Sequence, residues 1–149
     1  MARFTTAPLS PPAPPVGVHI ARVTKARERI SEAGNTVLLM TAQFPQGEQL
    51  GFAITFVEQA VKLIGYFCRS AELELPKEAG VEVEIKPADV EGRYSYPVVE
   101  YDGEGLEAVA KITRFLSRAE AITANSKLSE IKVQQTSRAL KPISGGDRL

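Results

Sequence analysis

The chain has 149 residues, of which 44% are hydrophobic and 24% charged, a composition typical of one globular domain that needs no covalent staples. The single Cys68 excludes an intramolecular disulfide, and no stretch approaches the roughly 18 apolar residues that a membrane span requires. The formal net charge is zero, yet residues 71–104 carry ten acidic and three basic side chains, whereas the two ends of the chain are basic. Residues 1–15 lack the continuous apolar segment of a signal peptide, so we expect a cytoplasmic protein.

Residues 1–15 are predicted to form an extended arm. The eight positions from Pro8 to Pro15 hold five prolines, a density that favours a polyproline conformation over a helix or a central strand. The folded domain is expected to begin at residue 16, because alternate positions from Val16 to Ile20 are apolar. Val23 breaks this alternation, which predicts a bulge near residues 21–22.

Two further strands follow the first. A turn at Ser31–Asn35 leads into the nearly continuous apolar run TVLLMTAQF, and together these features predict a hairpin. After a second turn at Pro45–Glu48, apolar residues alternate with small or polar ones, which predicts a third strand with Phe52 and Phe56 facing the core.

The period then changes from two to that of a helix. Thr55 and Glu58 fit a capping box, and the apolar positions that follow predict a helix of about four turns with Cys68 on its buried side. The run VEVEIKP, residues 81–87, predicts a fourth strand, and residues 93–102 predict a fifth. Pro97 cannot donate a ladder hydrogen bond, so the fifth strand is expected to lie at a sheet edge or to be interrupted there.

This element order predicts a mainly β fold. Three strands, a helix and two strands over residues 16–103 are the order expected of a five-stranded OB-like Greek-key barrel with a helix between strands 3 and 4. An open antiparallel sheet with one helix packed across it is the alternative.

The chain beyond residue 104 is predicted to be a helical extension over residues 104–138, followed by a flexible tail over residues 139–149. Its main element is an amphipathic helix in LEAVAKITRFLSRAEA, with Lys111, Arg114 and Arg118 forming a basic stripe. The helix either packs on the barrel or on another subunit, or it extends a track for phosphates. Because its apolar face must be buried and the Pro-rich arm is long enough to reach a neighbour, we expect a homo-oligomer, most simply a dimer. The apolar face comprises Leu106, Val109, Ile112, Leu116 and Ala119.

Residues 16–102 resemble a family of small tailed-phage and prophage proteins. The resemblance is carried by GVHIARVTKARERISEAGNTVLLMTAQF, by V-x-V-x-I, and by the closing G-R-Y-x-x-x-V-x-x-Y-D, whose markers include Gly92 and Tyr101-Asp102. Members of this family are commonly encoded among phage replication or recombination genes and are thought to be OB-fold, single-stranded-DNA-binding-like proteins. The resemblance therefore implies binding of single-stranded DNA in the cytoplasm of a bacterial host. The Pro-rich arm and the long extension depart from the family pattern, and the chain ends in SGGDRL rather than in an acidic, Phe-terminated tip.

The candidate nucleic-acid site begins with three cations at alternate positions. Lys25, Arg27 and Arg29 share one face of the first strand, where they either line a phosphate track or form a solvated edge that discourages aggregation. Tyr94 and Tyr96 share a face of the last strand and either stack on bases or fill the barrel interior. The adjacent Arg93 and the helical stripe Lys111, Arg114 and Arg118 complete the predicted site.

Catalysis is not expected. His19 is the only histidine and has no motif around it, so we interpret it as a structural or solvent-facing residue. Glu82 and Glu84 share a strand face without an Asp-rich loop, which favours a solvated surface over a metal site. The sequence therefore predicts a non-enzymatic protein without cofactor or metal, and non-sequence-specific binding of single-stranded DNA is the leading hypothesis. A protein-interaction or assembly module on the same OB-like scaffold is the alternative.

Overall fold

The computed structural model describes residues 2–3, 13–77, 80–105 and 108–142, and in this part of the chain the fold is mainly β, as predicted. The strands are β1 (Gly17–Val18), β2 (Ala21–Ile30), β3 (Thr36–Gln43), β4 (Gln49–Thr55), β5 (Leu73–Glu74), β6 (Tyr94–Asp102), β7 (Val109–Leu116) and β8 (Arg138–Ala139). The helices are α1 (Val61–Ser70), α2 (Pro87–Val90) and α3 (Arg118–Ala124), with short 3-10 helices at Glu58–Ala60 and Ser126–Glu130. Residues 4–12 of the predicted arm and residues 143–149 of the predicted tail lie outside the described residues.

The main sheet is antiparallel and open. Its order is β1-β6-β2-β3-β4, with β7 paired to β6, while β5 and β8 form a separate parallel pair. Strands β4 and β7 approach each other, but no ladder joins them within the described chain, so the predicted barrel is not closed. The gap is filled by the rings of Phe52, Phe67 and Phe115, whose centroids lie 5.0 to 5.9 Å apart. The core therefore sits between the sheet and helix α1.

Strands β1 and β2 run along β6 as one interrupted strand. Gly17 pairs with Val99 and Ala21 pairs with Ser95, which is the same register on both sides of the break. Opposite the break, the amide of His19 donates to the carbonyl of Pro97 at 3.1 Å, but proline has no N–H to return the bond. The ladder on this side of β6 is therefore broken opposite Pro97, but β6 itself runs without interruption from Tyr94 to Asp102, and Pro97 pairs with Phe115 of β7. Both predicted alternatives for this strand are wrong, because it is neither interrupted at Pro97 nor at a sheet edge, being paired on both sides.

Two predicted elements at the centre of the chain differ in the structure. The capping box at Thr55 is absent, because Thr55 is the last residue of β4 and pairs with Val37, and α1 begins only at Val61. Residues 81–85 do not form a sheet strand, since Val83 makes only an isolated bridge to Pro142. Val83 and Ile85 instead pack against the core, so the alternation in this segment reflects burial of one side without strand pairing.

The predicted amphipathic helix after residue 105 is wrong over most of its length. Residues 109–116 form β7, and only α3, which begins after a capping box made by Ser117 and Glu120, is helical. A bulge explains the error: Val99 pairs with Ile112 and Val98 with Arg114, which leaves Thr113 as an extra residue. Leu106 lies outside the described residues.

The C-terminal part of the extension covers the outer side of β1 and β6. Helix α3 and the following 3-10 helix contribute Ala121 and Leu128, which pack with Ile20 and Tyr96. The predicted flexible tail is wrong for residues 139–142, because β8 pairs with β5 and Leu140 is only 5% exposed. The extension therefore closes one face of the sheet and leaves the outer face of β2, β3 and β4 open.

Candidate nucleic-acid interface

Four basic side chains lie on the outer face of β2. The register with β3 shifts between Val23 and Lys25, so Thr24 is the extra residue of a bulge, two to three positions beyond the predicted residues 21–22. This bulge brings Arg22 into the same parity as the three predicted cations, and all four side chains are exposed. The cation row, as we call this set, consists of Arg22, Lys25, Arg27 and Arg29. Residues two apart in a strand lie about 6.6 Å apart along it.

The cation row stands beside a shallow surface of β3 and β4. We call this surface, which consists of Leu39, Thr41, Gly51 and Ala53, the floor. Lys25 lies in register with Thr41 on β3 and Gly51 on β4, and the next cross-strand row consists of Arg27, Leu39 and Ala53. The side chains in these rows become shorter from β2 towards β4. Strands β2 and β4 are two strand spacings, or about 9.6 Å, apart. Gly51 is exposed, and an added Cβ would meet only the Met40 carbonyl oxygen at 3.9 Å, so the protein's own packing does not require glycine there. The floor is thus accessible from solvent.

The cation row has no ion-pair partner among the described acids. The ion pairs found in this part of the structure join Arg69 to Glu120, Lys111 to Asp102, and Arg138 to Asp89. A groove of about 550 Å³ runs beside Lys25 and Arg27 over Leu39 and Thr41. Glu91 also lines this groove, and its carboxylate accepts a hydrogen bond of 3.3 Å from the amide of Ala26. The face therefore carries unneutralised positive charge next to a concave surface.

Arg93, which the sequence placed in the site, has a structural role. Its guanidinium donates to the carbonyls of Ala71 and Glu72 at 2.8 to 3.0 Å and so satisfies backbone groups that follow the C-terminus of α1. Burial lowers the pKa of the Arg93 side chain, an effect that the nearby Glu72 opposes. These hydrogen bonds commit Nε and Nη2 of Arg93 to the protein's own backbone.

The predicted tyrosine platform is covered. Tyr96 is only 3% exposed and packs on Ala121 and Leu128, and this burial raises the pKa of its phenol. Tyr94 is half-buried, and the Gln135 side chain bonds both its amide and its carbonyl. Tyr96 therefore neither stacks on bases nor fills the barrel interior, because it is enclosed between β6 and the extension. Tyr94 still borders a second groove of about 480 Å³ together with Arg22.

The three cations of the predicted helical stripe do not share a helix face, although the bulge at Thr113 places Lys111 and Arg114 on the same face of β7. Lys111 and Arg114 project from β7 and remain exposed, with Lys111 paired to Asp102 at 2.5 Å, whereas Arg118 begins α3. Their spacing of three and seven residues has helical meaning only in a continuous helix, which β7 interrupts. The structure therefore does not join them to the cation row as one helix face.

Arg22 is the site residue that the sequence interpretation missed. The break in apolar parity at Val23 already indicated a bulge, but a bulge at residues 21–22 leaves Arg22 out of phase with Lys25. With Thr24 as the extra residue, the polar side chains at 22, 25, 27 and 29 share one face. The available signal was the break in parity at Val23, which indicates that one residue is extra but not which one.

The remaining reactive side chains are occupied or enclosed. Cys68 is fully buried in the core, and burial raises the pKa of its thiol to about 12. His19 bonds the carbonyl of Pro15 and contacts the Phe44 ring edge-on, as expected of a structural histidine. Among the described residues, no three His, Cys, Asp or Glu side chains form a group that could hold a metal ion.

Comparisons with known proteins do not assign the chain to a family. No protein-family model matches it, and no curated protein matches it. Within the described part of the chain, no helix is long and apolar enough to cross a bilayer. The geometry of the cation row is therefore the main structural indication of function.

Proposed function

We propose that this protein binds single-stranded nucleic acid, without sequence preference, on the outer face of β2, β3 and β4. The observation that carries the proposal is the cation row: four exposed basic side chains lie on one strand face without ion-pair partners among the described acids, and two of these cations, Lys25 and Arg27, line an open groove. Polyanions are attracted to such a row because each phosphate neutralised releases condensed counterions. The alternative is that the cations only discourage aggregation, and that role does not require a groove beside them.

The connectivity of the sheet supports an OB-like interpretation. The long β2 pairs with both β3 and β6, α1 lies between β4 and β6 in the chain, and β7 returns beside β4. OB-folds are partly open five-stranded barrels in which a sheet face binds oligonucleotides. In this interpretation β2, β3, β4, β6 and β7 are the five strands, so the final strand is the segment predicted as a helix. The resemblance to phage single-stranded-DNA-binding-like proteins agrees with the same function.

Electrostatic attraction dominates the proposed mode of binding. The outer floor offers Leu39, Thr41, Gly51 and Ala53 but no aromatic ring, and Tyr94 at the end of the row is the nearest candidate for stacking. Stacking contributes about 1–3 kcal/mol per base where aromatic platforms exist, so this protein is expected to bind more weakly than a platform-rich single-strand binder. It is also expected to be strongly salt-sensitive.

Fluorescence anisotropy with a labelled oligo-dT tests this function. We expect saturable binding at low salt and weaker binding of a blunt duplex of the same length, because the floor is open to unpaired bases. Equal affinity for single strand and duplex would indicate a general polyanion surface, and no binding at low salt would exclude the proposed function.

A further inference from the structure

The prolines that end the N-terminal arm are held by two side chains of the folded domain. The Tyr101 hydroxyl donates to the carbonyl of Pro14 at 2.6 Å, and Nε2 of His19 donates to the carbonyl of Pro15 at 2.6 Å. Pro14 is less than 2% exposed. Because proline has no N–H, its carbonyl is the only backbone group that a partner can bind, and each of these two carbonyls has its own donor.

Both donors are positioned by the sheet and by neighbouring rings. Tyr101 lies on β6, where it pairs with Ala110 of β7. The His19 amide bonds to Pro97, and the His19 ring meets Phe44 edge-on, with centroids 5.4 Å apart and an interplanar angle of 88°. A carbonyl only accepts hydrogen bonds, so Nε2 of His19 carries the proton. We call Tyr101 and His19 the proline clamp.

The segment that joins the clamped prolines to β1 is a glycine-dependent bend. Gly17 has φ of +129°, a value that residues with a side chain rarely adopt, whereas an added Cβ would meet nothing within 4 Å. Glycine is therefore required by the backbone conformation and not by lack of space. The intervening Val16 is 66% exposed. The arm reaches its own clamp only through this bend.

We propose that the proline clamp is a recognition site for proline-rich segments and that the arm of a second copy of this chain fills it by exchange. The clamp contacts are the same whether the arm comes from its own chain or from the second copy, so exchange between two copies closes a symmetric dimer at little cost. The bend at Gly17 folds each arm onto its own domain, and straightening it directs the arm outwards. The proposal is independent of nucleic-acid binding.

Light scattering on the full chain tests the exchange. Gly17→Ala disfavours the bend while leaving both clamp donors in place, and it should raise the dimer association constant at least about fivefold. In this variant the bend is disfavoured, so the monomer that competes with the dimer has its prolines released from the clamp. Adding Tyr101→Phe, which removes one donor, then weakens only the dimer and should lower the association constant. An excess of the synthetic peptide APLSPPAPP, residues 7–15, should dissociate the dimer by occupying the clamp. Gly65→Ala on α1, where an added Cβ also meets nothing within 4 Å, is the matched control and should leave the association constant unchanged.

Two results would overturn the proposal. The first is a Gly17→Ala protein that stays folded by circular dichroism and monomeric at every concentration. The second is a dimer that persists with Tyr101→Phe and with excess peptide, since another surface must then hold it. If Gly17→Ala does not fold, the wild-type chain at high concentration decides: a dimer that the peptide dissociates supports exchange, and a monomer at all concentrations refutes it.

Discussion

Removing the cation row should abolish the salt dependence of binding. If each of its four side chains neutralises one phosphate of a single strand, the log–log slope of affinity against salt is about −2.8. Raising the salt from about 50 to about 200 mM then weakens binding roughly 50-fold. Replacing Arg22, Lys25, Arg27 and Arg29 by Ser should bring the slope close to zero, and replacing only Arg27 and Arg29 should halve it, which leaves a loss of about sevenfold.

The assay is anisotropy of labelled oligo-dT at several salt concentrations, with thermal unfolding measured in parallel. A matched variant removes four exposed lysines from other surfaces and should keep the full slope, which separates local contacts from a change in net charge. The melting temperature of the cation-row variant should change little, because exposed charges contribute little to stability. A slope that stays near −2.8 in the cation-row variant, or falls equally in the control, would refute the reasoning. The control lysines are Lys62, Lys127, Lys132 and Lys141.

Three further predictions concern the core and the cap of the extension. Phe67→Ala should lower the free energy of unfolding by about 3–5 kcal/mol in a denaturant titration, because Phe67 is fully buried against two other rings; a loss below about 1 kcal/mol would contradict this packing. Cys68 should react with a thiol reagent only after unfolding, since burial keeps it protonated, and rapid labelling of the native protein would disprove its enclosure. Ser117→Ala should destabilise the protein by about 1 kcal/mol through loss of the α3 cap, whereas Ser129→Ala, which removes only an exposed local bond, should cost less.

The sequence predicted the first half of the sheet well because its strands follow regular alternation. The hairpin of β2 and β3 and the alternating β4 each depend on one local rule that tertiary contacts do not override. The existence of a bulge in the first strand was also predictable, but its position was not. Moving the extra residue from 21–22 to Thr24 changes the face assigned to the residues between these positions, which is why Arg22 was missed.

The second half was misread because a bulge in a strand imitates helical spacing. The inward residues of β7 are Ala110, Ile112 and Phe115, spaced by two and then three positions, and Val109 and Leu116 added apparent helical neighbours. Because β7 replaces the predicted helix and Ile112 packs in the core of the chain itself, an apolar helix face no longer supports a homo-oligomer. A homo-oligomer stays a prediction, and its proposed basis is now exchange of the Pro-rich arm between two copies of the chain.

The covering of the tyrosines could not be inferred from the local sequence. Tyr96 is enclosed by residues 25 to 32 positions later in the chain, namely Ala121 and Leu128, and no alternation within β6 indicates which of its faces the extension will cover. Arg93 likewise became structural because its side chain reaches the end of α1, a contact between elements that are separated by 21 to 22 residues. Long-range packing, not local propensity, decided these parts of the candidate site.

Backbone amide chemical shifts, followed by NMR during titration with oligo-dT at low salt, test the central claim most directly. We predict that the shifts change along β2 from Arg22 to Arg29 and at Thr41, Gly51 and Ala53 on the floor. The amides of Tyr96 and Ala121, which lie under or within the extension, should stay unchanged. Changes confined to the surface of α3 or β7, with the β2 amides unaffected, would contradict the assignment of nucleic-acid binding to the cation row.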